Sequence, residues 1–332
     1  MAEKAQVWVI AKRPGGGPVG EEHFRLEERE VGEPGPGEVK VRVRWLGFDP
    51  AQRSWMDNLA DYVAPTEVGG VMPGNAVAEV VSSGDPRFAP GDLVVGLIGW
   101  QTLAVVPARI LRKIPDGVPP TATLGILGIT GLTAYFGLMR IGRPAAGETL
   151  VVSAAAGSTG STVVQLGRIM GLKVIGIAGG PEKCAFLREE LKADGVIDYR
   201  NEDVGARLDE LAPEGIDIFY DNVGGPILDA VLARIAHHAR IVVCGAISQY
   251  NTRDTYGPKR YLNLILRRAR MEGFIVTDFA AEFDKVQRRL ARWIADGRLV
   301  YREDVMEGFE NAPRAFLRLF TGENRGKQIL KV

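Results

Sequence analysis

Thr149-Leu150-Val151-Val152-Ser153-Ala154-Ala155-Ala156-Gly157-Ser158-Thr159-Gly160-Ser161 is the stretch on which the reading of this chain turns. An apolar run passes through small residues into a helical pattern over 159–170. Gly157 and Gly160 hold the second and third places of the dinucleotide fingerprint G-x-G-x-x-G, and Ala155 stands in the first. In a strand–loop–helix setting, the amides and dipole of the helix N-terminus attract a pyrophosphate. Gly157 permits close backbone approach, and Gly160 lets helix and strand pack tightly. The first position mainly supports the turn, which alanine also adopts. The loop therefore reads as a dinucleotide site formed by Ala156, Gly157, Ser158, Thr159 and Gly160. An ordinary strand-to-helix turn of small residues is the competing reading, because Gly157-x-x-Gly160 alone is a common pair.

Outward from the loop, strands and helices alternate. Strands are expected over 149–153, 173–178, 195–199, 216–221, 240–245 and 272–276. Helices are expected over 159–170, 182–192, 226–236 and 279–296, the last returning the chain to the first domain. Apolar runs such as Ile241-Val242-Val243-Cys244 suit a parallel sheet buried on both faces. The class is α/β, with a Rossmann-type doubly wound sheet. Before residue 120 the character differs. In Glu38-Val39-Lys40-Val41-Arg42-Val43-Arg44-Trp45, apolar and charged residues alternate as in a half-buried strand. Gly/Pro-rich turns and further strands over 74–81 and 90–96 point to a small β-barrel. Two domains fit the length of 332 residues.

Composition narrows the function. Hydrophobic residues make up 46% and charged residues 25%, and Lys+Arg equals Asp+Glu at 41 each, so nothing favours nucleic acid or an anionic membrane. Residues 117–139 carry no charge, yet Pro119, Pro120, Thr121, Thr123, Thr130 and Thr133 make them buried helices rather than a membrane span. The opening Met1-Ala2-Glu3-Lys4-Ala5-Gln6 has no signal-peptide core, and a cytoplasmic protein is expected. Two cysteines and three histidines make a metal site unexpected. Cys184 and Cys244 read as packing residues, and His237-His238 as solvated or capping residues at a helix end.

The cofactor's identity rests on the second strand's end. NAD sites place a carboxylate there, ~20 residues beyond the loop, for the ribose 2′-hydroxyl. Here Gly176-Ile177-Ala178-Gly179-Gly180 has none, and Pro181-Glu182-Lys183 follows. A lysine in a first helical turn opposes the dipole unless an anion is bound. Lys183 thus reads as a ligand of the 2′-phosphate of NADPH, with a solvated surface lysine as the alternative. Tyr199 can reach the same phosphate or simply pack. Asn222 and the run Cys244-Gly245-Ala246-Ile247 end the fourth and fifth strands, where open α/β sheets bind ligands. They are expected around the nicotinamide half.

Several motifs occur together: Ala154-Ala155-Ala156-Gly157-x-x-Gly160 with Gln165, Gly179-Gly180-x-Glu182-Lys183-Cys184, Asp221-Asn222-Val223-Gly224-Gly225, Cys244 through Asn251, Met271-Glu272-Gly273-Phe274, Asp49-Pro50-x-x-Arg53, Gly99-Trp100-Gln101 and Gly322-x-Asn324-x-Gly326-Lys327. The set resembles the zinc-independent medium-chain dehydrogenase/reductases, in particular the prostaglandin reductase and 2-alkenal (double-bond) reductase family, over essentially the whole chain. The resemblance implies a GroES-like barrel domain over 1–120 and 305–332, and a Rossmann NADPH domain over 121–304. It implies NADPH contacts from Thr130, Gly157, Gly179, Lys183, Tyr199, Asn222, Tyr250, Phe274, Ile275, Val276 and Asn324, and a homodimer. It also implies reduction of the C=C bond of α,β-unsaturated aldehydes and ketones. One departure falls in the segment that lines the substrate pocket of similar proteins. Ala51 replaces an aromatic or large residue, and Arg53-Ser54-Trp55-Met56 replaces Arg-Gly-Arg-Met.

Zinc alcohol chemistry needs Cys and His ligands in the first domain, which has no cysteine and only His23. Hydride addition to the β-carbon instead moves charge onto the carbonyl oxygen, which needs a hydrogen-bond donor. Tyr250 is expected as that donor, directly or through the nicotinamide ribose, with water protonating the α-carbon. Cofactor packing is the alternative role for Tyr250. Tyr62 is a second donor candidate. A quinone reductase and a non-enzymatic NADPH-binding protein are the other functions considered.

Overall fold

The structure, a computed structural model, describes residues 3–332; Met1 and Ala2, which open the N-terminal segment read above, lie outside the described residues. It falls into two compact units. One runs to Gly125 and resumes at Glu303, and the other is Ile126–Arg302.

The first unit opens with β1 (Glu3–Ile10) and β2 (Phe24–Val31), paired antiparallel along their length. In β3 (Glu38–Gly47) the sequence alternation becomes a face: Val39, Val41 and Val43 are buried, while Arg42 and Arg44 reach Glu3 and Glu79. Then come α1 (Gln52–Met56), β4 (Ala76–Ser83), β5 (Leu93–Gly96), β6 (Leu103–Pro107) and β7 (Leu111–Lys113). Trp100 is fully buried, stacked on Phe24 at 5.3 Å between ring centroids and meeting Phe48 and Phe316 edge-on. Its neighbour Gly74 must be glycine, since a Cβ there would lie 2.6 Å from the Trp100 indole nitrogen.

The second unit runs α2 (Ile129–Phe136), β8 (Thr149–Val152), α3 (Ser158–Ile169), β9 (Lys173–Ala178), α4 (Pro181–Ala185) and β10 (Gly195–Asp198). It continues with α5 (Val204–Leu211), β11 (Ile216–Asp221), α6 (Gly225–Leu232), β12 (Ile235–Val243), α7 (Leu262–Leu266), β13 (Arg270–Gly273) and α8 (Phe283–Ala295). Its six strands are all parallel, in the order β10-β9-β8-β11-β12-β13. Chain order reverses between β8 and β11, which makes the sheet doubly wound and places the ligand crevice at the C-terminal ends of those strands. Leu150, Val151, Val152, Ile175, Ile177, Ile241 and Val242 are fully buried, as burial on both faces requires.

Three local expectations need correction. His237 and His238 do not sit at a helix end. α6 stops at Leu232, and Ile235 already pairs with Ile216, so both histidines lie exposed within β12. That pairing overrides the helix-favouring composition of residues 230–236. The helix expected from 279 begins at Phe283. Residues before it form a tighter turn in which Phe279 leaves helical geometry and stacks on Phe136 at 4.7 Å. The last strand ends at Gly273 rather than 276. Among the described residues no helix is long and apolar enough to cross a membrane.

The chain then returns to the first unit through β14 (Glu303–Glu307), α9 (Ala312–Thr321) and β15 (Lys327–Lys331). That unit's sheet runs β14-β15-β3-β4-β5-β7, with β6 also paired to β3. Lys327 is 3% exposed, and its Nζ donates to the Phe48 carbonyl and, at 2.5 Å, to Asp49 Oδ1. Next along, Arg53 is equally buried and donates to Asp57 at 2.8 Å and to the Gly17 carbonyl. Burial alone would raise the Asp57 carboxyl. The Arg53 guanidinium and the Gly16 and Gly15 amides outweigh it and hold the group below its ordinary range. The segment that departs from the family pattern is thus anchored at both ends by buried charge.

Candidate functional site

In the second unit the candidate residues gather where β8, β9, β11 and β12 end. Gly157 caps α3, so no capping side chain occupies the first-turn amides. A Cβ on Gly160 would lie 2.3 Å from the Ala154 carbonyl oxygen and 2.8 Å from the Ala155 Cα, so the helix packs on its own loop at a distance only glycine allows. A Cβ on Gly157 would meet only the Ala154 oxygen, at 3.3 Å, and that side of the loop stays open. These features fit a dinucleotide pyrophosphate on the α3 N-terminus.

The turn is tight, but not at the fingerprint's first position. Ala154 carries the left-handed conformation, φ +46°, at a cost of ~1–2 kcal/mol for a non-glycine residue. Ala155 is fully buried, and space for its methyl comes from the adjacent strand: a Cβ on Gly176 would approach it to 3.1 Å. Ala156 is buried as well, and the Ser158 hydroxyl donates to Thr130 Oγ1 at 3.0 Å, placing Thr130 beside the loop.

A polar clip missed in the sequence holds the crevice. Asp221 is 1% exposed and accepts from Ser153 Oγ at 2.8 Å and from the amides of Val223 and Gly224. Burial pushes its carboxyl up, opposed by those donors. Ser153 Oγ in turn accepts from the Asn222 amide at 2.8 Å, and the Asn222 side chain donates to the Ser153 carbonyl at 2.7 Å. Asn222 is therefore oriented by the end of β8. The available signal was a polar residue at the end of each of two neighbouring segments, Ser153 directly after β8 and Asp221 closing β11.

The backbone of Cys244 and Gly245 donates to the Asp221 carbonyl, and that of Ile247 to Asn222, which fixes the turn after β12. Tyr250 lies beneath this turn, its hydroxyl accepting from the Ala246 amide at 3.2 Å. The Cys244 thiol is pushed up to about 12 by burial, against its contact with the Tyr220 hydroxyl, so it is a packing thiol rather than a nucleophile. Cys184 is likewise buried. Phe274 packs over Gly137, where a Cβ would come within 2.7 Å of its ring; Ile275 and Val276 follow.

Beyond β9, Tyr199 is 46% exposed and its ring covers Gly179, whose Cβ would lie 2.8 Å from Tyr199 Cε1. Lys183 is half-buried in α4. Two candidates belong to the first unit. The Tyr62 hydroxyl accepts from the Trp55 indole at 3.3 Å, and the Asn324 side chain donates to the Gly326 carbonyl. Among the described residues, no three His, Cys, Asp or Glu side chains converge as a ligand set.

Residues 6–114 match the family described as N-terminal domain of oxidoreductase, and residues 158–292 the one described as zinc-binding dehydrogenase. The NADPH-dependent curcumin reductase of Escherichia coli is 42% identical, over 98% of this chain and 96% of that protein. The chain belongs to the medium-chain dehydrogenase/reductase family. Within the family, the NADP(+)-dependent 2-alkenal reductase of Nicotiana tabacum is also 42% identical, over 90% of this chain and 88% of its own. CurA from Vibrio vulnificus, solved in complex with NADPH, superposes with a TM-score of 0.92 at 37% identity, covering 98% of this chain and 99% of its own.

Proposed function

We propose that this medium-chain reductase is an NADPH-dependent enzyme that reduces the C=C bond of α,β-unsaturated aldehydes and ketones without zinc. The observation that carries the reading is the glycine loop on α3, joined to a β9 that ends without a carboxylate and leads to Lys183. Relatives named as curcumin and 2-alkenal reductases support the substrate class. When bound, NADPH supplies the hydride that adds to the alkene β-carbon.

The second unit carries the cofactor, with Gly157 to Gly160 at the pyrophosphate, Lys183 and Tyr199 at the 2′-phosphate, and Asn222 and residues 244–247 at the nicotinamide half. The Tyr250 hydroxyl, held at the turn by the Ala246 amide, is the donor assigned to the developing enolate oxygen or to the ribose that orients it. Tyr62, whose hydroxyl accepts from the Trp55 indole, is the second donor candidate. Water protonates the α-carbon. Ligand count supports chemistry without zinc: the first unit's one histidine, His23, has its Nδ1 engaged at Gly20.

kcat/KM measured with NADPH over alkenals, cyclic enones, aryl enones and quinones tests this reading. Enones and enals should be turned over best, and a quinone leading the panel would overturn it in favour of a quinone reductase. Tyr250→Phe should lower kcat about 100-fold, the scale of losing one oxyanion donor, with NADPH affinity nearly unchanged. Lost affinity with intact kcat would make Tyr250 a binding residue only.

A cytoplasmic homodimer completes the proposal. β13 is the sheet's edge strand, beside the exposed Tyr261, Leu262, Ile265 and Leu266. Antiparallel self-pairing centred on Met271 sets Arg270 against Glu272 of the partner subunit, twice by symmetry. Within one chain Arg270 Nε already lies 3.8 Å from Glu272 Oε2, so the partner's pair would extend an existing charge cluster. In analytical ultracentrifugation at micromolar concentration, Met271→Lys should convert dimer to monomer. A monomeric parent protein would dispose of the assembly.

A further inference from the structure

The two turns that follow β9 and β10 are tied together by one carboxylate. Asp198 pairs with Ala178 across the sheet, and its Oδ1 accepts from the Gly180 amide at 2.9 Å and from the Arg200 amide at 3.1 Å. Its Oδ2 accepts from the Asn201 side chain at 2.8 Å. The Gly180 amide leads in holding the Asp198 carboxyl below its ordinary range. A carboxylate committed to backbone amides in this way is a structural anion, not an acceptor for a ribose hydroxyl.

That tie fixes where the Arg200 side chain starts, and the glycines show where it goes. A Cβ on Gly179 would lie 2.9 Å from Arg200 Nε, and one on Gly180 would lie 3.9 Å from a terminal nitrogen of the same guanidinium. Gly180 has φ +92°, a conformation side chains avoid. The Gly179-Gly180 turn is thus a bare backbone shelf, with the Tyr199 ring and the Arg200 guanidinium lying against it and Lys183 in the helix that leaves it.

We propose that Arg200 is the second cation of the 2′-phosphate site and a determinant of the preference for NADPH over NADH, with Asp198 as its positioning residue. The inference rests on the NADPH reading above. A guanidinium offers planar paired donors that match phosphate oxygens, where the Lys183 ammonium supplies a point charge. The two cations flank the shelf on which the adenosine ribose of a dinucleotide at Gly157 is expected to lie.

Calorimetric titration of the whole protein with 2′,5′-ADP and with 5′-ADP tests the assignment without turnover. The unmodified protein should bind 2′,5′-ADP more tightly. Arg200→Ala should weaken 2′,5′-ADP about tenfold, or ~1.4 kcal/mol, with 5′-ADP changed less than about twofold. Arg200→Lys should restore part of the loss, and Lys183→Ala should show the same selective pattern. Arg200 is exposed, and its backbone amide keeps the contact with Asp198 in either variant. If the unmodified protein binds both nucleotides equally, the NADPH reading falls and this inference with it. If it discriminates and Arg200→Ala discriminates as well, or loses both nucleotides alike, Arg200 is not a phosphate ligand and the NADPH reading stands on Lys183.

Discussion

Gly160→Ala should weaken NADPH binding about 100-fold, or ~2.7 kcal/mol, and lower the thermal midpoint as well. The added Cβ would sit 2.3 Å from the Ala154 oxygen, 2.8 Å from the Ala155 Cα and 2.9 Å from the Ala154 carbonyl carbon. All three are backbone atoms, so no side chain can swing aside and α3 must move away from its loop. Overpacking of this kind costs ~1–3 kcal/mol by itself. The displacement also carries Gly157 and the first-turn amides off the pyrophosphate. Gly157→Ala is the informative companion, since its Cβ meets only one protein atom, at 3.3 Å. It should fold normally and lose affinity through blocked approach of the cofactor. Full NADPH affinity in Gly160→Ala, measured by fluorescence titration, would show that the loop is not the dinucleotide site.

Lys327→Met should cost about 3 kcal/mol of unfolding free energy in urea. Removing one partner of a buried ion pair costs ~3–5 kcal/mol because the other charge is left without compensation. The lower end applies because the Asp49 side chain keeps 15% of its surface in solvent. The Phe48 carbonyl loses its Nζ donor as well. Adding Asp49→Asn should recover more than half of the loss by removing the stranded charge. A single-variant cost below about 1 kcal/mol, the range of exposed pairs, would mean that water replaces the ammonium and the anchor is not structural.

The doubly wound sheet was legible because its central strands carry buried apolar runs, Leu150-Val151-Val152, Val174-Ile175-Gly176-Ile177 and Ile241-Val242. The loop was legible because Gly157 and Gly160 are required by type and spacing, and Lys183 stood out by opposing a helix dipole. The beginning of β12 was hidden because Ile235-Ala236 continues a helix-compatible composition, and only pairing with Ile216, from a separate part of the chain, makes it a strand. The contact between Ser153 and Asp221 was hidden for the same reason, although Asp221 itself opens the motif Asp221-Asn222-Val223-Gly224-Gly225. The two are 68 residues apart and meet because β8 and β11 are sheet neighbours across the reversal of strand order. Arg200 was hidden by local context, since an arginine in a polar turn looks solvated until the bare glycines beside it are seen.

The alanine at the head of the fingerprint has a consequence for how such loops evolve. Ala155 and Gly176 share one small volume, so a methyl is accommodated on one of the two strands and excluded from the other. The glycine missing from the loop has in effect been moved to the neighbouring strand. Drift between the two arrangements has a preferred order, through an intermediate with glycine at both places, because the intermediate with two methyls must also displace Leu187. A search that demands three glycines in the loop would pass over chains that keep one of them across the sheet.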